Sequence, residues 1–241
     1  MTEAGAGEAV RLAKRVAQQL GCSRATAEQY IEGGWVSVDG RVVEEPAARV
    51  APTQAVALAP DANLLDLRPV TLLLHRPANA NAQEFLRAER HAAELDRPGT
   101  RVLRRHLRAL ECAAPLPAGA SGLTVYTQER RIARRLAEDM ALLEQECTVH
   151  VEGQIAPDGL QALGRNLPHH GGPAAPHLKA SWQNETHLRL ALKGVDMARI
   201  PELCAAVGLR VLGVRRIRMG RLPLARLPEG QWRYLQPWER F

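Results

Sequence analysis

Apolar positions along the first fifty residues recur with two different periods. In residues 10–20, Val10, Leu12, Val16 and Leu20 are separated by bases and glutamines, the spacing of a short amphipathic helix. Gly21-Cys22-Ser23 then offers a C-cap glycine and an N-cap serine, and a second helix over 24–34 ends at Gly33-Gly34. After it the period drops to two. WVSV and RVVEE flank Asp39-Gly40, which predicts a hairpin. Residues 51–68, punctuated by Pro52, Pro60 and Asp61, read as a linker. Beyond Pro69 the pattern predicts strands at 69–77, 122–127, 147–153, 187–194 and 209–220. It predicts helices at 83–95, 100–111, 128–144 and 198–208, and a loop-rich stretch over 157–178.

The interleaving lacks the regular spacing of a doubly wound sheet. The expected fold class is therefore α+β: a small N-terminal domain over 10–60, and a larger domain with a mixed or antiparallel sheet over 69–236. A flexible start (1–9), a linker (61–68) and a tail (237–241) complete the division.

Composition narrows the classes. At 241 residues, 46% hydrophobic and 24% charged, the chain has the makeup of a globular protein. It has neither a membrane-length apolar run nor a signal-like apolar core near its start, so a cytoplasmic location is expected. Cys22, Cys112, Cys147 and Cys204 lack the spacing of a metal site or disulfide framework, and the expectation is buried free thiols. His169, His170 and His177 have no ligand partners at suitable spacing, so no metal and no cofactor is expected. The net charge of +6 and pI near 9.6 point to a polyanionic partner. Eleven of the 32 bases, against five acids, lie in 183–241, whereas residues 1–60 carry six bases and seven acids.

Arg11, Leu12, Ser23-Arg24, Ala27, Ile31, Gly34, Val36, Val38, Gly40 and Val43 together resemble the αL RNA-binding motif named after small-subunit ribosomal protein four, over about residues 10–58. The resemblance implies that Arg11, Lys14, Ser23, Arg24 and Arg41 face structured RNA. Asp39 stands where the motif usually has asparagine. On the predicted 100–111 helix, Arg101, Arg104, Arg105 and Arg108 form a basic stripe, and Arg104, Arg108 and Arg76 are further candidate RNA contacts.

The larger domain resembles the catalytic domain of bacterial ribosomal RNA pseudouridine synthases. LLLHRPANA at 72–80, ASGLTVYT at 120–127 and the C-terminal run through Gly208, Arg216, Gly220, Leu224, Leu227, Gly230, Arg233 and Leu235 carry the likeness. That family works without a cofactor, through one loop aspartate in Gly-Arg-Leu-Asp, three residues before Thr-Ser-Gly-Leu. Here Leu116 and Ser121-Gly122-Leu123 set the register and place Pro117 at the aspartate and Pro115 at the arginine. Proline offers no nucleophilic or basic atom. The family's Glu-Lys-x-Tyr strand reads Glu144-Gln145-Glu146-Cys147, and its Gln-Val-Arg-Arg-Met block reads Arg199-Ile200-Pro201-Glu202-Leu203. Leu95-Asp96-Arg97 mimics the catalytic tripeptide, yet it lies only 19 residues beyond Pro77, whereas Pro117 lies 40 beyond; Asp96 reads as a turn residue. Asp196 is the remaining carboxylate near a family block.

The resemblance implies a protein that binds structured, ribosomal RNA, and the departures from the family pattern imply that it has no catalytic residue; a monomer is expected. An active synthase with another carboxylate and a protein-interaction module are the alternatives. Few aromatic residues exist to hold an extruded base, and Trp182, Trp232, Tyr234 and Trp238 read as core or tail packing.

Overall fold

The computed structural model describes residues 8–64, 68–165, 167 and 176–241; His169 and His170 lie outside the described residues, as do most of the N-terminal nine. The chain divides into two compact units, residues 1–69 with 101–108, and residues 70–100 with 109–241.

In the first unit β1 (Val10–Arg11) leads into α1 (Leu12–Leu20), followed by α2 (Arg24–Glu32), β2 (Val36–Val38), β3 (Arg41–Val42), β4 (Arg49–Val50) and β5 (Val56–Leu58). The local signals act as the sequence predicts. Gly21 caps α1 in the left-handed region at φ 63°, where an L side chain would be strained. The Ser23 hydroxyl accepts a hydrogen bond from the Thr26 amide at 3.1 Å. Leu12, Ala13 and Val16 from α1, Ala27 and Ile31 from α2, and Val36, Val38 and Val50 form one core.

Residues 51–58 are not a linker. β5 pairs antiparallel with β2, Val36 opposite Leu58, and the Asp39 carboxylate accepts from Gln54 Nε2 at 2.8 Å and the Ala55 amide at 2.9 Å. Those bonds, Gln54 first, hold the Asp39 carboxyl below the usual carboxylate range.

The predicted helix over 100–111 is absent. Only a 3-10 turn forms, at Arg104–Leu107, and this segment belongs to the first unit rather than the second domain. Its backbone is drawn to distant partners instead. The Arg101 guanidinium lies 4.4 Å from the Trp35 ring and donates to the Gly34 carbonyl at 2.7 Å, and the Arg104 amide donates to Glu44 at 2.7 Å. Residues 83–95 likewise form three separate 3-10 turns, because Ala92 donates to the Trp232 carbonyl and Trp232 Nε1 donates to the Arg87 carbonyl.

His106, buried in the 101–108 segment, is pulled down to about 4, by burial first and by Arg105 second. Its Nδ1 faces the Leu103 amide at 3.5 Å. Between the ordinary imidazole value and about 4 the unfolded chain therefore holds the extra proton, and stability falls as pH falls through that window. The wild type is expected to lose about 2–3 kcal/mol more than His106→Asn between pH 7 and pH 4, read from urea midpoints. Equal losses would remove His106 as the cause.

The second unit is built on one sheet. Its strands are β6 (Thr71–Arg76), β7 (Glu111–Cys112), β8 (Ala120–Thr127), β9 (Gln145–Gly153), β10 (His177–Asn184), β11 (His187–Lys193), β12 (Leu209–Met219), β13 (Leu222–Pro223) and β14 (Trp232–Tyr234). The order is β10-β11-β9-β12-β8-β6-β14, with β13 paired to β12 and β7 to β8. All pairings but β8–β12 are antiparallel, so the sheet is mixed. The helices are α3 (Arg130–Asp139), α4 (Gly159–Leu163) and α5 (Ile200–Ala205). α4 and the first two residues of β10 lie inside the stretch read as loop.

Gly122 makes the β8–β12 crossing possible. It sits at φ +107°, and a Cβ there would lie 2.3 Å from the Arg216 carbonyl oxygen. No helix among the described residues is long and apolar enough to cross a membrane. All four cysteines are free; Cys147 and Cys204 are buried, Cys22 is half-buried, and Cys112 is exposed rather than buried.

Candidate functional site

Each unit holds a candidate site. In the first, Arg11 at the start of α1, Lys14 one turn on, Arg24 at the start of α2 and Arg49 on β4 line a cleft of about 400 Å³. The antiparallel pairing Arg11↔Arg49 brings the fourth base in. Sequence reasoning missed Arg49, because it enters only through a two-residue strand that carries no periodic signal. Arg49 also donates to the Ala9 carbonyl at 2.8 Å, and Arg24 meets Glu28 at 2.9 Å across an exposed helix face. Ser23 caps α2, and Arg41 is exposed on β3 without lining the cleft.

Of the other expected basic contacts, Arg76 and Arg108 are engaged through their guanidinium groups, and Arg104 bonds Glu44 through its backbone amide. Arg108 pairs with Glu45 at 3.0 Å, and that bond holds the Glu45 carboxyl below its usual range. Arg76, in the second unit, donates to the carbonyls of Ala80 and Ala120 at 3.1 and 2.9 Å.

The second site is a cleft of about 470 Å³ lined by Pro115 and Pro117, the end of α3, Gln145, the 194–197 segment and Arg216. Arg216 is 1% exposed. Its Nε donates to the Leu123 carbonyl at 2.8 Å, Nη2 to Ala114 at 2.6 Å, and Nη1 to Pro115 at 3.3 Å and Gln145 Oε1 at 3.0 Å. Burial lowers its pKa to about 10, so it stays charged at neutral pH with only neutral oxygens around it. It clamps the 114–115 backbone, which carries the loop to Pro117.

Candidate nucleophiles are sparse here, and Cys147, two residues beyond Gln145, does not line the cleft. Cys147 is fully buried, and burial pushes its thiol up to about 12, so it is not a thiolate at neutral pH. The carboxylates lining the cleft among the described residues are Glu138, largely exposed and 3.6 Å from Arg134, and Asp196. Asp196 Oδ1 accepts from the Ala198 amide at 2.9 Å, capping a 3-10 turn.

Asp96 is elsewhere. It is not merely a turn residue: its side chain is buried and accepts from His91 Nε2 at 2.6 Å, from the Tyr234 amide at 3.2 Å and from Gln236 Nε2, and it does not line this cleft. Trp232 is buried as expected, whereas Trp182 and Trp238 are exposed. Among the described residues no group of three or more His, Cys, Asp or Glu is arranged to hold a metal ion.

Comparison with known proteins gives the arrangement its relatives. The S4 domain model matches residues 10–56. Over 233 residues the chain is 30% identical to the Ribosomal large subunit pseudouridine synthase B of Escherichia coli K12, covering 92% of this chain and 78% of that protein. It is 27% identical to the Ribosomal small subunit pseudouridine synthase A of the same strain, covering 94% and 96%. A crystal structure of a pseudouridylate synthase shares the fold, with a TM-score of 0.54 at 18% identity over 94% of this chain and 96% of that one.

Proposed function

The chain belongs to the family of the ribosomal pseudouridine synthases, and from that premise we propose that it is a ribosomal-RNA-binding protein whose synthase cleft performs no chemistry. It acts as a cytoplasmic monomer that holds RNA, in ribosome assembly or as an RNA chaperone, and uses no metal or cofactor. The observation that carries this reading is Pro117. It lines the cleft at the position that the family resemblance gives to the nucleophilic aspartate, and its side chain has no atom that can attack a sugar or base. The surroundings fit that loss. The Arg216 guanidinium, which a carboxylate in the cleft would neutralise, has its donors met by three carbonyls and Gln145 instead.

One observation favours a second reading: Asp196 lies in the cleft. An active synthase that used it would depend on Asp196 absolutely. The test maps pseudouridine at single-nucleotide resolution in total ribosomal RNA from a deletion strain, and from strains rescued with the unaltered protein, Pro117→Asp or Asp196→Asn. No uridine is expected to lose its modification on deletion. A site that is lost, regained with the unaltered protein and lost again with Asp196→Asn would establish the second reading and remove the first. Binding that ignores salt would favour the protein-interaction alternative, because phosphate contacts weaken steeply as salt rises.

A further inference from the structure

A second polar cleft, of about 520 Å³, opens on the side of the sheet away from the apolar core. On β9, Cys147 and Val149 face the core, so the alternating Thr148 and His150 project from the opposite side. Strand register sets two rows there. Ser121, Arg215 and Thr148 are neighbours on β8, β12 and β9, and Gly213, His150 and His187 are neighbours on β12, β9 and β11. Gly213 leaves the floor open, since a Cβ there would meet nothing within 4 Å.

The two imidazoles stack with centroids 4.6 Å apart and ring planes 2° from parallel. His187 is fixed by Nδ1 contacts to Asn184 Oδ1 at 3.2 Å and Thr186 Oγ1 at 3.0 Å. Gln183 and Asn184 add amide groups at the rim.

The neighbouring arginines on this side of the sheet face carboxylates. Arg189 pairs with Glu146, Arg210 with Glu152, and Arg218 with Glu144 and Glu146. Arg215 has no carboxylate partner among the described residues, and no acid lines the cleft. A free guanidinium beside imidazole, hydroxyl and amide groups, in a hollow of nucleotide size, is suited to a phosphodiester with its base.

We propose that this outer cleft is a second RNA contact, in which Arg215 holds a backbone phosphate and the His150–His187 pair with Gln183 and Asn184 meets the adjoining nucleotide. The inference rests on the RNA-binding reading but on none of the residues that line the S4-domain cleft.

The test follows the His150 and His187 ring signals of the full chain by NMR during titration with a ten-nucleotide single-stranded RNA, uridine monophosphate and poly-glutamate. The RNA is expected to move both signals saturably. Arg215→Gln, an exposed position, is expected to weaken that response about tenfold while the rest of the spectrum stays folded. Ring signals that ignore the RNA while anisotropy still reports binding would overturn this contact and leave the wider RNA reading intact; no binding by either measure would overturn both. A response to the mononucleotide or to poly-glutamate as strong as that to RNA, or one unchanged in Arg215→Gln, would also overturn it.

Discussion

Replacing Arg11, Lys14, Arg24 and Arg49 together with glutamine is expected to lower affinity for ribosomal RNA about a hundred- to a thousandfold near physiological salt. All four line the same cleft in the first unit. Each charge-assisted phosphate contact is worth roughly 1 kcal/mol net, and Arg24 contributes less to the extent that Glu28 competes for it. The slope of log K against log salt is expected to become shallower by about 3, near 0.9 per phosphate lost in a duplex. The double change Lys14→Ala with Arg24→Ala should give about half of both effects. Filter binding to total ribosomal RNA over a salt series measures the two quantities together. An unchanged slope would take the S4 domain out of the RNA-binding proposal.

The charge of this unit bears on that expectation. Residues 1–60 alone are net acidic by one, a weak start for a phosphate binder. The structure adds Arg101, Arg104, Arg105 and Arg108 to the same unit, and Glu45 spends its charge on Arg108 and Glu44 accepts from the Arg104 amide. Part of the acidity counted in the sequence is thus already engaged inside the protein, away from the basic cleft.

What could be read in advance was local. Ser23 as an N-cap, Gly21 as a C-cap and the turn at Asp39-Gly40 each act over three or four residues, and all three are present. The buried run Leu72–Leu74 is a strand because its apolar side chains are covered on both faces. The misses were non-local. The 100–111 segment has helical periodicity, but Trp35, Gly34 and Glu44 compete for its arginine and backbone amide, and the contest is decided by residues some sixty positions away. β5 escaped notice because three residues after Gln54 are too few to establish a period. Pro117, Gln145 and Cys147 stand out only through the family resemblance, which sets them against that family's aspartate, lysine and tyrosine. The carbonyl shell around Arg216 was not legible, since backbone oxygens leave no trace in side-chain patterns.

That shell supports the second large effect. Arg216→Met is expected to destabilise the second unit by roughly 3–5 kcal/mol, which urea unfolding followed at a β-sheet signal would measure. Methionine fills much of the volume, so the loss comes from polar groups more than from a cavity. Removing the guanidinium strands the Ala114 and Leu123 carbonyls and the buried Gln145 amide, each at a cost of about 1–3 kcal/mol unless water reaches it. Relief of a buried cation offsets part of this, which is why the sum of the individual costs is not expected in full. Arg215→Gln is the control: it is the next residue on β12, exposed, without a carboxylate partner among the described residues, and should change stability by less than about 0.5 kcal/mol. Pro117→Asp separates the two roles of the cleft. A carboxylate restored at that position would give Arg216 the opposite charge it lacks, so a gain in stability without any pseudouridine formed would mean that the chain has lost more of its catalytic apparatus than one residue. Equal stability of Arg216→Met and the wild type would instead mean that the loop at 114–117 is held by its prolines and not by the arginine beneath it.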